Sequence, residues 1–280
     1  MPARIQPTVR QVRLGVELRK LREAAGLSSR EAAGLLGVNP VQMSQFEAGN
    51  AGINAVRVRR LAAHYACVDA GLIEALVEMA TDRTRGWWEA YRGVLPPVFL
   101  DLAELEHHAT FIEEISTAHV PGMLQTEEYA RAVFAFWRPE LPASELEPRV
   151  EHRMRRKRVL DGTPYTVVLH EPALRTRVAD RRAAREQLVA ILDRLDSPGV
   201  TVRVIPLDVD GFAGASAEVL YAGGGVPVLD TAQLDSPQGP VFMDATAQLQ
   251  SMRTLFRKVE GMSLEPGRSR DFIHRLAKEL

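Results

Sequence analysis

The 280-residue sequence holds a single cysteine, Cys67. That count excludes an internal disulfide framework and any zinc site built from several thiolates, and leaves a small buried role as the ordinary use of the side chain. Long apolar runs are missing as well, because charges interrupt every stretch that approaches the roughly 18 to 20 residues of a membrane span. The opening MPARIQPTVRQVR passes into LGVELRKLRE instead of an apolar core, so it does not read as a secretory leader, and a cytoplasmic protein without membrane contact is expected. Signatures of catalysis are equally scarce. There is no GxxxxGK(S/T) phosphate loop, no GxGxxG, no GxSxG elbow and no HExxH. His107 and His108 would diverge by about 100° on a helix and so do not converge on a metal, and His64, His119, His152, His170 and His274 are scattered. The serine of GFAGAS is spaced wrongly for a nucleophile elbow and reads as loop; Gly223 to Gly225 reads as a hairpin turn. Neither enzymatic activity nor a cofactor nor a metal is expected.

The formal net charge of −1 hides a division along the chain. Residues 1 to 66 carry ten Lys or Arg against four Glu, an excess of six positive charges, so the remainder is acidic by seven. A basic head on an acidic body is the asymmetry expected when only the head approaches a polyanion. The length suits two domains, and three segments are expected: a flexible basic arm over 1–12, a helical domain over 13–82, and a larger mixed domain over 85–280.

In the head, Leu14, Leu18, Leu21 and Ala25 recur at helical spacing and Gly26 follows as a stop. Ser28 and Glu31 form a capping box for a second helix that stops near Gly37. Asn39 suits an N-cap and Pro40 the first helical position, so VNPVQMSQFEAG starts a third helix instead of breaking one. A fourth begins around Asn54 and buries Val58, Leu61, Ala62 and Tyr65; a fifth covers about 69 to 80. Two short helices joined by a glycine turn in an all-α bundle of about five is the helix-turn-helix arrangement. On GLSSREAAGLLGVNPVQMSQFEAG, some fifty-five residues in their setting resemble the Cro/phage-repressor (XRE) type of helix-turn-helix regulator, which implies binding to a double-stranded DNA operator.

The third helix contains no Lys or Arg. Met43 and Phe46, with Val38 before them, should face the bundle, while Val41, Gln42, Ser44 and Gln45 face outward. By resemblance, Val41, Ser44 and Gln45 fall at base-reading positions and Gln42 nearer the phosphates. Gln pairs bidentately with adenine, Ser serves several bases and Val packs on a thymine methyl. Related regulators often carry Lys and Arg at 42 and 45, a departure that argues against guanine readout. Phosphate contacts are expected from Ser29 and the second helix N-terminus, Asn50 and its loop amides, and Arg57. Arg4 and Arg10 sit on the arm, which either reaches DNA or is merely solubilising. Because one module makes few phosphate contacts, a homodimer on half-sites about one helical turn apart is expected.

The body has an α+β pattern. Strands are read at 111–116, 165–170, 200–206 and 217–222, and helices at about 126–137, 144–160, 180–195, 241–258 and 269–279. After WWEAY, the segments HVPGMLQTEEYARAVF, RVEHRMRRKRVLDG, HEPALRTRV and VTVRVIP resemble the large domain, of unknown biochemical function, in actinobacterial antitoxin-like regulators of the WhiJ type. That resemblance implies control of development or secondary metabolism, with a small acidic partner protein encoded nearby or a small-molecule effector as the input. Relatives carry a Tyr-x-Glu strand where this chain reads AQLDS, so Asp235 stands in for the Glu. PGMLQTEEYARA is a turn followed by a helix capped by Thr126, with Glu127 and Glu128 against its dipole; it either docks that helix or walls an effector site. In the run His152 to Arg158, Leu146, Val150 and Met154 make an apolar stripe, placing the basic side chains on a solvated or acid-paired face. Phosphate contact from the body of the dimer and docking of an acidic partner or a nucleotide-like ligand are the alternatives.

Overall fold

The structure, a computed structural model, describes residues 7–82, 84–214, 216–235 and 240–280. The chain divides into two compact units between Trp87 and Trp88, close to the boundary expected from composition.

The first unit is a five-helix bundle: α1 (Val9–Ala24), α2 (Ser29–Leu36), α3 (Pro40–Glu47), α4 (Ala55–His64) and α5 (Ala70–Thr81). Each helix starts on a side-chain cap, respectively Thr8, Ser28, Asn39, Asn54 and Asp69. Each cap satisfies one of the first-turn N–H groups that helix geometry leaves without a partner. Thr8 and Gln11 close a capping box that the sequence reading missed. As a result α1 begins at Val9, so residues 9 to 12 and Arg10 belong to a helix and not to an arm, and Arg4 lies outside the described residues. The buried line of α1 also differs from the apolar stripe: Leu14 and Leu18 are buried, Leu21 is half-buried and Ala25 is exposed, while Arg22 is buried. Gly37 ends α2 at φ 72°, a left-handed conformation that glycine adopts without strain.

The second unit is α+β. Its elements run α6 (Pro97–His107), β1 (Ile112–Ser116), α7 (Glu127–Trp137), α8 (Ala143–Arg156), β2 (Tyr165–His170), α9 (Glu171–Arg175), α10 (Arg181–Arg194), β3 (Val200–Ile205), β4 (Val219–Ala222), β5 (Thr231–Leu234), β6 (Val241–Met243), α11 (Thr246–Gly261) and α12 (Pro266–Glu279). One six-stranded sheet has the order β3-β2-β1-β4-β5-β6. Strands β1, β2 and β3 are parallel, joined by helical crossovers, and β4, β5 and β6 continue the sheet antiparallel. Helices cover both faces, so β2 and β3 are nearly continuous β-branched runs, as buried parallel strands are. On one face Tyr129, Leu160, Leu174, Leu188, Ile191, Ile273 and Leu276 pack over Ile112, Tyr165, Val167, Val202 and Leu220. On the other, Phe256 and Val259 of α11 pack over Ile115, Val168 and Ile205.

Three assignments change. The stretch 241–258, read as one helix, is strand β6 followed by α11; 144–160 is α8 followed by a 3₁₀ turn over Lys157–Asp161; and the strands TAQL and VFM were not anticipated. Strands of three or four residues are shorter than a periodicity can register. The glycines 223 to 225 do lie between antiparallel β4 and β5, in a connection that also holds a short 3₁₀ turn over Pro227–Leu229.

Candidate nucleic-acid interface

Helix α3 is held from three sides. Asn39 Oδ1 accepts from the Gln42 N–H at 2.7 Å, and Pro40 supplies a first-turn residue with no N–H to satisfy. Met43 and Phe46 are buried in the bundle and Val38 is half-buried. Helix α1 then crosses the end of α3 backbone to backbone. A Cβ on Gly15 would lie 2.4 Å from the Glu47 carbonyl oxygen, and one on Gly49 would lie 2.7 Å from the Gln11 carbonyl carbon. Only glycine permits that approach, and Gly49 adds φ 73°.

The third anchor is ionic. Arg22 donates from Nε to Glu47 Oε1 at 2.6 Å, from Nη2 to Glu47 Oε2 at 3.0 Å, and from Nη1 to the Leu27 carbonyl at 2.7 Å. One guanidinium therefore ties α1, the turn after it and the C-terminus of α3 in the fork geometry that makes Arg–carboxylate pairs directional. Both side chains are more than nine-tenths buried, and Glu47 holds the Arg22 charge in place by raising its pKa. Tyr65 lies in the same electrostatic neighbourhood, its hydroxyl pushed up to about 12 by burial. The sequence reading did not identify Gly15, Arg22 or Glu47. An arginine at a buried helix position, with a glutamate on the partner helix, is a signal visible only once the two helices are placed together.

The outward face of α3 is as expected. Val41 is 69% exposed, Ser44 and Gln45 are exposed, and Gln42 is half-buried. The proposed phosphate contacts fare unequally. The hydroxyl oxygen of Ser29 is covered and has no partner, so what α2 offers at this end is the backbone N–H groups of its first turn. Asn50 is exposed, but its N–H and that of Ala51 are already donated to the Gln45 carbonyl. Arg57 caps through its N–H on Asn54 and lays its guanidinium 5.7 Å from the Phe46 ring centroid. The same chain of contacts thus connects Arg57 to the inner side of α3.

The positive excess of the head is partly spent internally. Arg13 and Lys20 pair with Glu17, Arg19 with Glu23, Arg22 with Glu47, and Arg59 with Glu74. Arg30, Arg57 and Arg60 carry no ion pair among the described residues; Arg60 donates to the Leu35 carbonyl. These three flank α3 in sequence and supply part of the uncompensated charge.

In the second unit the basic run His152 to Arg158 is acid-paired at Arg156 and covered over most of its length, with Arg158 exposed. His152 is fully buried, 5.1 Å and 5.7 Å from the ring centroids of Tyr91 and Phe99, and burial holds its imidazole down at about 3. Arg156 is buried on Glu106 in a bidentate pair. Arg153 donates to Gln125 Oε1 at 2.8 Å beneath the Phe134 ring, and Lys157 donates to the Gln125 carbonyl at 2.8 Å. Of the expected apolar stripe only Val150 is buried; Leu146 and Met154 are half-buried. The amphipathic pattern misleads because arginine can be an interior residue wherever a carboxylate meets it. PGMLQTEEYARA docks α7, as one reading held: Thr126 caps the helix, Met123 and Leu124 are core residues, and Gln187 accepts from the Thr126 N–H and donates to the Leu124 carbonyl. Glu127 and Glu128 pair with Arg131 and Arg182. Asp235 is exposed and accepts from Gln233 at 2.5 Å. Among the described residues no group of His, Cys, Asp and Glu could hold a metal, and no helix is long and apolar enough to cross a membrane.

No curated protein and no solved structure matches the chain. Residues 13–76 match a helix-turn-helix domain, whose five capped helices, exposed α3 face and flanking charge are those of a DNA-binding unit. Residues 99–275, more than half of the chain, match the domain of unknown function DUF5753. The chain belongs to the DUF5753 family, with that domain carried behind a DNA-binding helix-turn-helix domain.

Proposed function

We propose that the protein is a sequence-specific transcriptional regulator of the WhiJ type, a cytoplasmic homodimer acting as a repressor, whose second unit receives a small-molecule effector or a small protein partner and performs no catalysis. The observation that carries this reading is the fixed, uncharged outer face of α3. Val41, Ser44 and Gln45 are presented on a helix pinned by two backbone contacts and a buried ion pair. Pre-positioned side chains lose little freedom when they meet base edges, and the groups offered suit adenine and thymine. Affinity comes from the flanks, through Arg57, Arg30 and the α2 N-terminus, and choice comes from α3. An effector that prefers the non-binding arrangement of the dimer lowers operator affinity by its differential affinity for the two states.

An antitoxin-like reading, in which the second unit sequesters a small protein and DNA binding is autoregulatory, is favoured by one feature. Phe136 and Trp137 stand side by side at the end of α7, 79% and 63% exposed, and adjacent exposed aromatics are the residue types that anchor protein interfaces.

Gel-shift titration against the protein's own upstream region tests the regulator reading. We expect binding at nanomolar to submicromolar concentration that keeps its preference over random DNA as salt rises. Equal, salt-sensitive binding to both DNAs contradicts it. Co-purification of a neighbouring small protein with a chain in which Phe136 and Trp137 are intact, lost in Phe136→Ala/Trp137→Ala, would favour the second reading.

A further inference from the structure

Across the sheet of the second unit, one row of paired residues runs Val202, Val167, Glu114, Leu220, Gln233, Phe242. Residues paired in this way share a face, here the face on which α7, α10 and α12 pack. The half of the row on β3 and β2 is apolar and buried. On the remaining strands Glu114 and Gln233 interrupt the apolar row, alternating with Leu220 and Phe242. Glu114 sits in the middle of β1, an interior strand, on the helix-covered face, yet keeps accessible surface. That surface is what an opening in the covering layer, a recess, would leave. Arg153 of α8 also keeps part of its surface, and the backbone of Gly122 packs against it: a Cβ there would lie 3.6 Å from Arg153 Nε and 3.7 Å from Arg156 Nη1. Asp235, exposed, lies within electrostatic reach of both Glu114 and Arg153 and marks the rim.

The polar groups around this recess are incompletely matched. Arg156 is closed by Glu106. Arg153 gives Nη1 to Gln125, while its buried Nε has no partner and Nη2 no hydrogen bond among the described residues. Glu114 accepts from the Tyr165 hydroxyl on Oε2 at 2.6 Å and, among the described residues, accepts no hydrogen bond on Oε1. Among the described residues Asp235 accepts from Gln233, on one oxygen. Arg153 lies within electrostatic reach of both Glu114 and Asp235, but pairs with neither at ion-pair distance. A guanidinium and two carboxyl groups that sense one another without touching leave a span that a bridging molecule fits.

We propose that this recess binds a small zwitterion of the amino-acid type, its carboxylate on Nη2 of Arg153 and its ammonium group between Glu114 and Asp235. The complement is set by charge. An anion alone would face two carboxyl groups, and a cation alone would leave the guanidinium unmatched. Burial pushes the Glu114 carboxyl up to about 8, so at pH 7 the empty recess holds a proton there. The incoming ammonium group favours the carboxylate and expels that proton. The proposal rests on the reading that the second unit receives a ligand, and binding is measured apart from any effect on DNA.

The test is calorimetric titration of the full-length protein with each of the twenty protein amino acids singly, with acetate and methylammonium as half-ligands, in two buffers of different protonation enthalpy. The expected result is saturable binding of at least one amino acid with proton release at pH 7, and no comparable binding of either half-ligand. Affinity should fall about tenfold or more in Glu114→Gln and in Arg153→Gln. Asp235→Asn, a rim change that leaves the buried groups in place, should weaken binding by a smaller factor. Failure of all twenty to bind, binding by acetate alone equal to that of the amino acid, or undiminished affinity in Glu114→Gln and Asp235→Asn overturns the proposal. Saturable binding that leaves operator affinity unchanged supports the site and overturns control by that ligand instead.

Discussion

Replacing Arg22 by Met should unfasten α3 from the bundle without touching any residue of its outer face. The substitution keeps the volume and the apolar stem, but removes three hydrogen bonds and leaves Glu47 buried without its partner. Breaking a buried pair from one side costs about 3 to 5 kcal/mol, because the remaining charge is neither solvated nor matched. In a five-helix unit water is one layer away, so the lower end, about 3 kcal/mol, applies. For a unit of this size each kcal/mol moves the melting temperature by roughly 4 to 8 °C, which places the loss at about 12 °C or more. Replacing both partners, Arg22→Met with Glu47→Leu, removes the stranded charge and should recover most of that loss. Differential scanning calorimetry of the full chain measures both variants, with the second unit's transition as an internal reference. A single variant that melts within about 2 °C of the parent, or a double variant no better than the single, would refute the claim that this pair fixes α3.

Three further outcomes follow from the same geometry. Gly15→Ala places a methyl group 2.4 Å from the Glu47 carbonyl oxygen and should cost about 1 to 3 kcal/mol in urea unfolding, with a parallel loss of operator binding because α3 must move. The second unit should lose stability as pH falls below 6.5: His152 is kept neutral down to about 3 in the fold, so unfolding takes up its proton, with a slope of at most about 1.4 kcal/mol per pH unit. His152→Leu should flatten that slope in denaturant titrations at pH 4 to 7. Glu114 has the opposite sign. Its folded-state value is raised to about 8 from 4.5, so its contribution is complete below 4.5 and is lost as pH rises through 8. Glu114→Gln should therefore remove the decline between pH 6.5 and 8, and a variant that declines as steeply as the parent contradicts the assignment.

How much of this was legible beforehand depended on whether the signal was local. Capping is local: Ser28, Asn39 and Asn54 placed three helix starts, and Gly37 and Gly49 placed the turns, before any tertiary information. The face of α3 followed from the same periodicity. The clamp beneath it did not, because Gly15 meets Glu47, and Arg22 meets Glu47, only after α1 crosses α3. In the second unit, strands with β-branched runs such as YTVVLH were plain, whereas TAQL and VFM were too short to stand out. The basic run of α8 was legible in part: acid pairing was expected, but the burial of that pair was not, because a hydrophobic scale counts arginine as surface. Arg156 is interior because Glu106, fifty residues earlier, meets it there. Asp235 was singled out by resemblance alone, and its place beside Gln233 at the rim of the Glu114 recess supplies the physical reason to test it.

The central claim, that α3 chooses the sequence while its neighbours supply affinity, is tested most directly by the ratio of operator to random-DNA affinity in two variants. Gln45→Ala should cost about 1 to 3 kcal/mol on the operator and little on random DNA, collapsing the ratio, whereas Arg57→Ala should weaken both DNAs alike and leave the ratio intact. An equal loss on operator and random DNA from Gln45→Ala would contradict the account.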